Sequence, residues 1–186
     1  MEKELTGKDL GGWTLAECIG FGKSALVFRA TRAGVAGAAK VFDRELVERF
    51  GRAAQRERVE SHPNLIGILD AGEDVDSDLF YVVMELFAGK NLAQSLDEIP
   101  QARVGALIAQ VASAAEFLET LGLAHRDIKP ENILLTMVNL YLTQGNTVKI
   151  CDFGWSIYNP NKEMRLTLCG TPLYLAPEMV AQISYD

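Results

Sequence analysis

The sequence predicts an α+β chain in two lobes, a strand-rich first half and a helical second half. Three observations carry this reading. Short apolar runs bounded by Gly and Asp recur as far as Leu86. Beyond Gly89 the apolar residues switch to helical spacing. Between the two, Ala88-Gly89-Lys90 offers a flexible crossing, so the lobes are expected to be residues 1–88 and 89–186.

Taken in order, residues 13–20 and 25–31 read as strands on either side of a glycine turn, and 35–42 as a third strand. Residues 44–61 are charged, helix-tolerant and free of proline until Pro63, which suits a helix. Residues 65–69 and 80–86 are short apolar runs and read as strands again. Past the crossing, 92–96 reads as a short helix and 101–121 as a long one. In the long helix Val104, Leu107, Ile108, Val111, Ala115 and Leu118 fall at helical spacing. Gln110, Glu116 and Glu119 interrupt the same window, which makes it an amphipathic core helix and not a membrane span.

Composition narrows the functional classes. With 186 residues and 48% apolar content, the chain can bury a core. A net charge of −7 argues against a sequence-independent nucleic-acid binder, which needs a basic face. Cys18, Cys151 and Cys169 are too few and too scattered for a disulfide framework or a zinc site, and they fit a reducing compartment. Met1-Glu2-Lys3-Glu4 opens no apolar run, so no signal peptide is expected.

The most informative stretch is His125-Arg126-Asp127-Ile128-Lys129-Pro130-Glu131-Asn132, followed by Asp152-Phe153-Gly154. It supplies a proton acceptor, a phosphate-facing cation and two oxygen ligands suited to magnesium. Phosphoryl transfer needs these parts, because its catalysis is mostly positioning and charge neutralisation. Upstream, Gly20-Phe21-Gly22-Lys23-Ser24-Ala25-Leu26-Val27 is a glycine-rich turn through which a backbone can approach phosphates closely, although Ala25 stands where a third glycine would be expected. Lys40, in Ala38-Ala39-Lys40-Val41, follows it within a strand of small and apolar residues. Together these motifs resemble the eukaryotic-type serine/threonine protein kinases, from about Trp13 to Glu178.

The resemblance implies a bilobal protein kinase-like fold, with a β-rich N-lobe and an incomplete helical C-lobe. It implies a kinase that moves the γ-phosphate of ATP, with Mg2+, onto protein hydroxyls. In that reading Asp127 is the base and Lys129 neutralises charge on the phosphate, its presence also speaking for serine/threonine specificity. Asn132 and Asp152 bind Mg2+ through oxygen. Lys40 contacts the α- and β-phosphates and is held by Glu57, with Glu60 as the alternative. Gly20 and Gly22 cover the phosphates, while Val27, Ala38 and Leu134 enclose the adenine and Met84 limits the depth of its pocket. The carbonyl of Glu85 and the amide of Phe87 bond the adenine edge. Asn91 either meets the ribose hydroxyls or forms a turn.

His125 and Phe153 are expected to be packing residues. Arg126 beside the base calls for an anion, which phosphorylated Thr167 would supply. Thr171 is expected to bond the catalytic loop. The segment 152–172 closely resembles Aurora kinases. That likeness would imply spindle or centrosome work and an activator or scaffold partner, within a cytoplasmic or nuclear protein. ATP and a protein substrate are the other expected partners; nucleic acid and membrane are not.

Three departures qualify the resemblance. Glu57 lies 17 residues after Lys40 but only five before His62, a helix short by about one turn. Residues 137–143 lengthen the stretch between Asn132 and Asp152; without them Thr136 would join Gln144 in an ordinary strand-turn-strand. A register shift caused there would turn every following side chain to the other face and misaim Asp152. Finally, Asp186 comes eight residues after Glu178, where the resemblance implies further helices. The alternative expectation is therefore a weakly active or inactive kinase-fold protein that binds nucleotide or regulates a partner.

Overall fold

The computed structural model describes residues 2–21, 25–43, 61–136, 147–152, 157–158 and 170–183. They fall into two units: the first holds residues 2–43 and 67–87, the second 61–66 and the residues from 88 on.

The short runs of the first half become an antiparallel sheet. A short helix α1 (Glu2–Leu5) leads into β1 (Asp9–Leu10), β2 (Trp13–Phe21), β3 (Leu26–Arg32), β4 (Val35–Asp43), β5 (Ile68–Asp74) and β6 (Leu79–Glu85). Their order in the sheet is β1-β2-β3-β4-β6-β5. Register pairs Ala39 with Val83 and Val41 with Tyr81, and these pack with Leu15, Phe28 and Ala30 in one core cluster. The alternate residues Phe42, Phe80 and Val82 form a second cluster on the opposite face. Ala33 and Gly34, both with positive φ, make the two-residue turn joining β3 to β4.

The strand expected at 65–69 starts instead at Ile68 and runs through Asp74, while Leu65 makes only an isolated parallel bridge to Ile150. An apolar-run criterion misses β5 because its acidic residues find partners within the unit. Trp13 Nε1 donates to Asp70 Oδ2 at 2.9 Å, and Arg32 pairs with the same carboxylate. The Arg32 guanidinium also lies 4.5 Å from the Trp13 ring centroid, and Lys8 pairs with Asp74 at 2.7 Å. The helix expected over 44–61 lies outside the described residues, apart from Ser61.

In the second unit β7 (Lys90–Asn91) is followed by a 3-10 helix, Leu92–Glu98, and by α2 (Gln101–Thr120). Then come β8 (Leu123–Ala124), β9 (Ile133–Leu135), β10 (Val148–Ile150), β11 (Ile157–Tyr158) and α3 (Pro177–Val180). β9 lies between β10 and β7, and β11 pairs with β8. Leu107, Ala114 and Leu118 of α2 are buried, with Val111 beside them, against Leu65, Ile133, Leu135, Val148 and Ile150. Ile108, expected in that core, is 62% exposed. A helix turns about 100° per residue, so Ile108 leaves the stripe that Leu107, Val111, Ala114 and Leu118 define. Gly122, at φ 68, ends α2 in the left-handed conformation that glycine adopts without penalty. Among the described residues no helix is long and apolar enough to cross a membrane.

Tyr81 identifies a tight point in the first unit. Its hydroxyl occupies the space in which a Cβ on Gly11 would lie 1.8 Å away and one on Gly72 2.6 Å away. Gly11 also has φ +59. Gly11→Ala is expected to lower the unfolding free energy by about 1–3 kcal/mol through overpacking and backbone strain. Gly34→Ala, strained at φ +83 but with open space around its added methyl, should cost less. Urea unfolding of both variants checks this order; equal losses would contradict the packing argument.

Candidate active site

Residues 125–129 run without regular structure from β8 into a 3-10 turn, Pro130–Asn132. Proline at its first position lacks only an N–H that the turn leaves unpaired in any case. The Asn132 amide closes the turn on the Lys129 carbonyl at 2.9 Å and brings the asparagine back over Asp127. Asn132 Nδ2 donates to the Asp127 main-chain carbonyl at 2.9 Å and to Asp127 Oδ2 at 2.9 Å. Lys129 Nζ lies 2.9 Å from the same Oδ2, and the Asp127 side chain is only 5% exposed. Lys129 Nζ also donates to Thr171 Oγ1 at 2.6 Å, and that hydroxyl donates onward to Asp127 Oδ1 at 2.8 Å. Asp127, Lys129 and Thr171 thus form one closed ring, to which Asn132 is joined through Asp127.

Among the described residues the ring leaves the carboxylate one acceptor position. A carboxylate offers about four lone-pair sites, two per oxygen. Asn132 and Lys129 occupy those of Oδ2 and Thr171 takes one on Oδ1, so the remaining site is on Oδ1.

His125 fixes the loop from behind. It is buried, its Nδ1 lies 3.3 Å from the Asp127 amide, and its Nε2 lies 3.1 Å from the Cys151 carbonyl. A neutral ring satisfies both contacts, accepting at Nδ1 and donating from Nε2. Burial pushes the His125 pKa below its ordinary 6.5, against the opposing pull of the Cys151 carbonyl and the charges of Asp152 and Asp127. The Cys151 amide in turn donates to the Asn132 carbonyl at 2.9 Å, joining the two motifs through the backbone. Arg126 and Asp152 have φ 64 and 66, a left-handed conformation uncommon outside glycine and one that clusters at functional sites. Gly170 packs on Arg126: a Cβ there would lie 2.7 Å from the Arg126 carbonyl.

Asp152 is delivered by the β9–β10 ladder. Val148, Lys149 and Ile150 oppose Leu135, Leu134 and Ile133 with no shift of register. Residues 137–143 lie outside the described residues, and the ladder that follows them runs regularly into Cys151. Two residues that sequence reasoning passed over hold this strand. Gln110 Oε1 accepts from the Val148 amide at 3.0 Å, and Asn64 Nδ2 donates to the Val148 carbonyl at 2.9 Å. The sequence carried a signal for the first, since Gln110 sits between Leu107 and Ala114 on the apolar stripe of α2, where a polar side chain needs a partner.

In the first unit, register lines up Gly20 with Val27, Val27 with Lys40, and Lys40 with Val82. Ala38 pairs with Met84, two residues along from Lys40, so Val27, Ala38, Lys40 and Met84 share one face of the sheet. Two register shifts in the β2–β3 pair, on either side of Cys18, lie just before Gly20. Glu85 ends β6, where its amide donates to the Gly67 carbonyl at 2.8 Å and its Oε1 accepts from the Gly67 amide at 2.9 Å. Phe87 follows in irregular structure and is half-buried.

Asn91 and Leu134 are Cα partners across β7 and β9 in the second unit. Asn91 caps the 3-10 helix that follows β7. Its Oδ1 accepts from the Gln94 amide at 2.9 Å while Gln94 Oε1 accepts from its own amide at 3.1 Å, a reciprocal cap. Gly22, Glu57, Glu60, Phe153, Gly154 and Thr167 lie outside the described residues.

These features coincide with the outcome of comparison with known proteins. The protein kinase domain family matches residues 13–186, and the chain belongs to that family. Its fold is the kinase fold, with a β-rich N-terminal sheet and a partial helical region. It is 32% identical over 194 residues to a probable serine/threonine-protein kinase, fhkD, of Dictyostelium discoideum, covering 96% of this chain and 24% of that protein. It is 33% identical over 188 residues to the Aurora kinase of Saccharomyces cerevisiae (95% and 49%). It is 34% identical over 184 residues to serine/threonine-protein kinase 36 of Pongo abelii (91% and 13%). The chain therefore spans less than half the length of these relatives, and identities of 32–34% do not set Aurora apart from the other two. The family typically uses ATP and Mg2+ and acts on protein substrates.

The environment of His125 has a consequence for stability. With its folded pKa below the unfolded 6.5, the histidine binds fewer protons folded than unfolded as pH falls. Its contribution is therefore present above 6.5 and is lost as pH drops toward the lower folded value. The stability gap between the parent chain and His125→Gln, which cannot titrate there, should narrow as pH falls through that window. Thermal unfolding at a series of pH values measures it, and a gap independent of pH would contradict a buried neutral ring.

Proposed function

We propose that this chain is the catalytic part of a serine/threonine protein kinase that transfers the γ-phosphate of ATP to protein hydroxyls. The observation that carries this reading is the Asp127 carboxylate, buried and, among the described residues, held by three donors and left with one acceptor site on Oδ1. That is the arrangement a base needs if it is to take one proton from one direction. The substrate hydroxyl oxygen bonds to the γ-phosphorus, the bond from that phosphorus to the β-phosphate oxygen breaks, and ADP leaves. The hydroxyl proton passes to Asp127 Oδ1. Lys129, already beside Oδ2, neutralises charge on the phosphate in flight.

The donor chemistry of Asn132 and Asp152 suits Mg2+. The Asn132 amide nitrogen is committed to Asp127, which leaves its Oδ1 to face a cation, and Asp152 is a half-buried carboxylate on an adjoining strand end. Among the described residues no cluster of three or more His, Cys, Asp or Glu could hold a metal, which fits a cation that draws further oxygens from phosphates and water. When bound, Mg2+ offsets the triphosphate charge.

In the same reading Lys40 contacts the α- and β-phosphates with Glu57 as its partner, and Gly20 and Gly22 lie over them. Val27, Ala38 and Leu134 enclose adenine, whose edge meets the Glu85 carbonyl and the Phe87 amide, with Asn91 near the ribose. Residues 1–88 act as the N-lobe and 89–186 as part of the C-lobe. Phosphorylated Thr167 pairs with Arg126 as an activating switch. An activator or scaffold protein, and a cytoplasmic or nuclear location at the spindle or centrosome, extend the likeness of segment 152–172 to Aurora kinases.

Mg-ATP at a hundredfold excess over its Kd should stabilise the chain by about 2.7 kcal/mol, read as a rise in Tm. Transfer of labelled γ-phosphate to a generic basic peptide should be detectable, and Asp127→Asn should lower kcat by about 10²–10⁴-fold with little change in KM for ATP. Full activity in Asp127→Asn would overturn the base assignment. A Tm shift without transfer would favour a nucleotide-binding regulatory protein.

A further inference from the structure

We propose that Asn64 and Gln110 are positioning residues that set the aim of Asp152 by clamping the Val148 peptide. Among the described residues β10 is the edge strand of its sheet, with no neighbouring strand for the amides and carbonyls on its outer side. At Ile150 the backbone supplies partners: the Ile150 amide donates to the Asn64 carbonyl at 2.9 Å and the Ile66 amide donates to the Ile150 carbonyl at 2.9 Å. At Val148, two residues earlier and on the same edge, side chains do this work. The Val148 amide donates to Gln110 Oε1 at 3.0 Å, and the Val148 carbonyl accepts from Asn64 Nδ2 at 2.9 Å. Asn64 Nδ2 also donates to Gln110 Oε1 at 3.0 Å, which ties the two side chains to each other.

The clamp is placed to matter. Asn64 is 7% exposed and Val148 fully buried, so water cannot easily replace either bond. β10 is three residues long and leads through Cys151 directly to Asp152. His62 supports the segment that carries Asn64: its ring stacks on Phe117 of α2 at 5.0 Å and its Nδ1 accepts from the Asn64 amide at 3.1 Å. One side-chain pair therefore couples α2, residues 61–66 and the strand that presents a proposed magnesium ligand. Residues that orient a metal ligand without touching the metal typically govern affinity by about 10–100-fold.

This inference rests on the proposed kinase reading, and its test separates the two. In the 186-residue chain, Gln110→Leu removes the acceptor and Asn64→Asp removes the donor to the Val148 carbonyl, while Gln110→Glu keeps an acceptor oxygen. Amide hydrogen exchange should show Val148 exchanging about tenfold faster in Gln110→Leu, with the α2 amides unchanged. The Mg2+ concentration for half-maximal ATP binding should rise about tenfold or more in Gln110→Leu and Asn64→Asp, with ATP affinity in EDTA unchanged and Gln110→Glu close to the parent. If Gln110→Leu does not fold, Asn64→Asp carries the same comparison. An unchanged Mg2+ requirement in a parent-like fold would overturn the clamp alone, leaving the kinase reading in place. An unmodified chain with no Mg2+-dependent ATP binding would overturn both.

Discussion

A buried carboxylate is tolerated only when donors surround it, and most of the second unit is arranged to provide them for Asp127. Lys129 brings the opposite charge, Asn132 an amide and Thr171 a hydroxyl, all within 2.9 Å of a carboxylate oxygen. Asn132 and Thr171 would not reach Asp127 from an extended chain. The 3-10 turn at Pro130–Asn132 folds Asn132 back, and Thr171 arrives from more than forty residues downstream. The local chain is also strained to permit this. Arg126 takes a left-handed conformation, and the glycine at 170 lets the later segment approach its carbonyl.

The support behind the ring is apolar and regular. Leu107, Val111, Ala114 and Leu118 make α2 a platform for β9 and β10, whose inward residues Ile133, Leu135, Val148 and Ile150 are almost wholly buried. These strands are short, so their ends carry the polar residues directly: Asn132 precedes β9, and Cys151 and Asp152 follow β10. Burial therefore fixes the hairpin, and the hairpin fixes the spacing between the two polar motifs. The amide of Cys151 and the ring of His125 complete the connection. The first unit follows the same economy on a sheet. Its two faces carry separate apolar clusters, and Lys40 stands among the small and apolar residues of one of them.

Much of this was legible in advance. Short apolar runs and the glycine turn placed β2, β3, β4 and β6 within about two residues of their observed bounds, and helical spacing placed α2. Ala38 and Lys40, two residues apart in β4, share one face, as strand geometry requires. β5 was misread because an edge strand can be polar when cross-strand partners such as Trp13, Arg32 and Lys8 satisfy its acids. Ile108 was misread because a broad apolar window does not say which stripe of a helix is covered.

By itself the sequence determined the residue types of the site, the family to which the chain belongs and the period of each regular element. Those properties are written in local order: an aspartate, a lysine and an asparagine within six residues, or apolar side chains at fixed spacing. Only the tertiary structure decided which oxygen of Asp127 stays open among the described residues, with Thr171 on Oδ1, and that Asn64 and Gln110 grip Val148. Each of these joins residues 38 to 84 positions apart. Burial selects such partners after the chain has folded, because an unpaired polar group in the interior is too costly to persist, and no local pattern announces which distant side chain will meet that need.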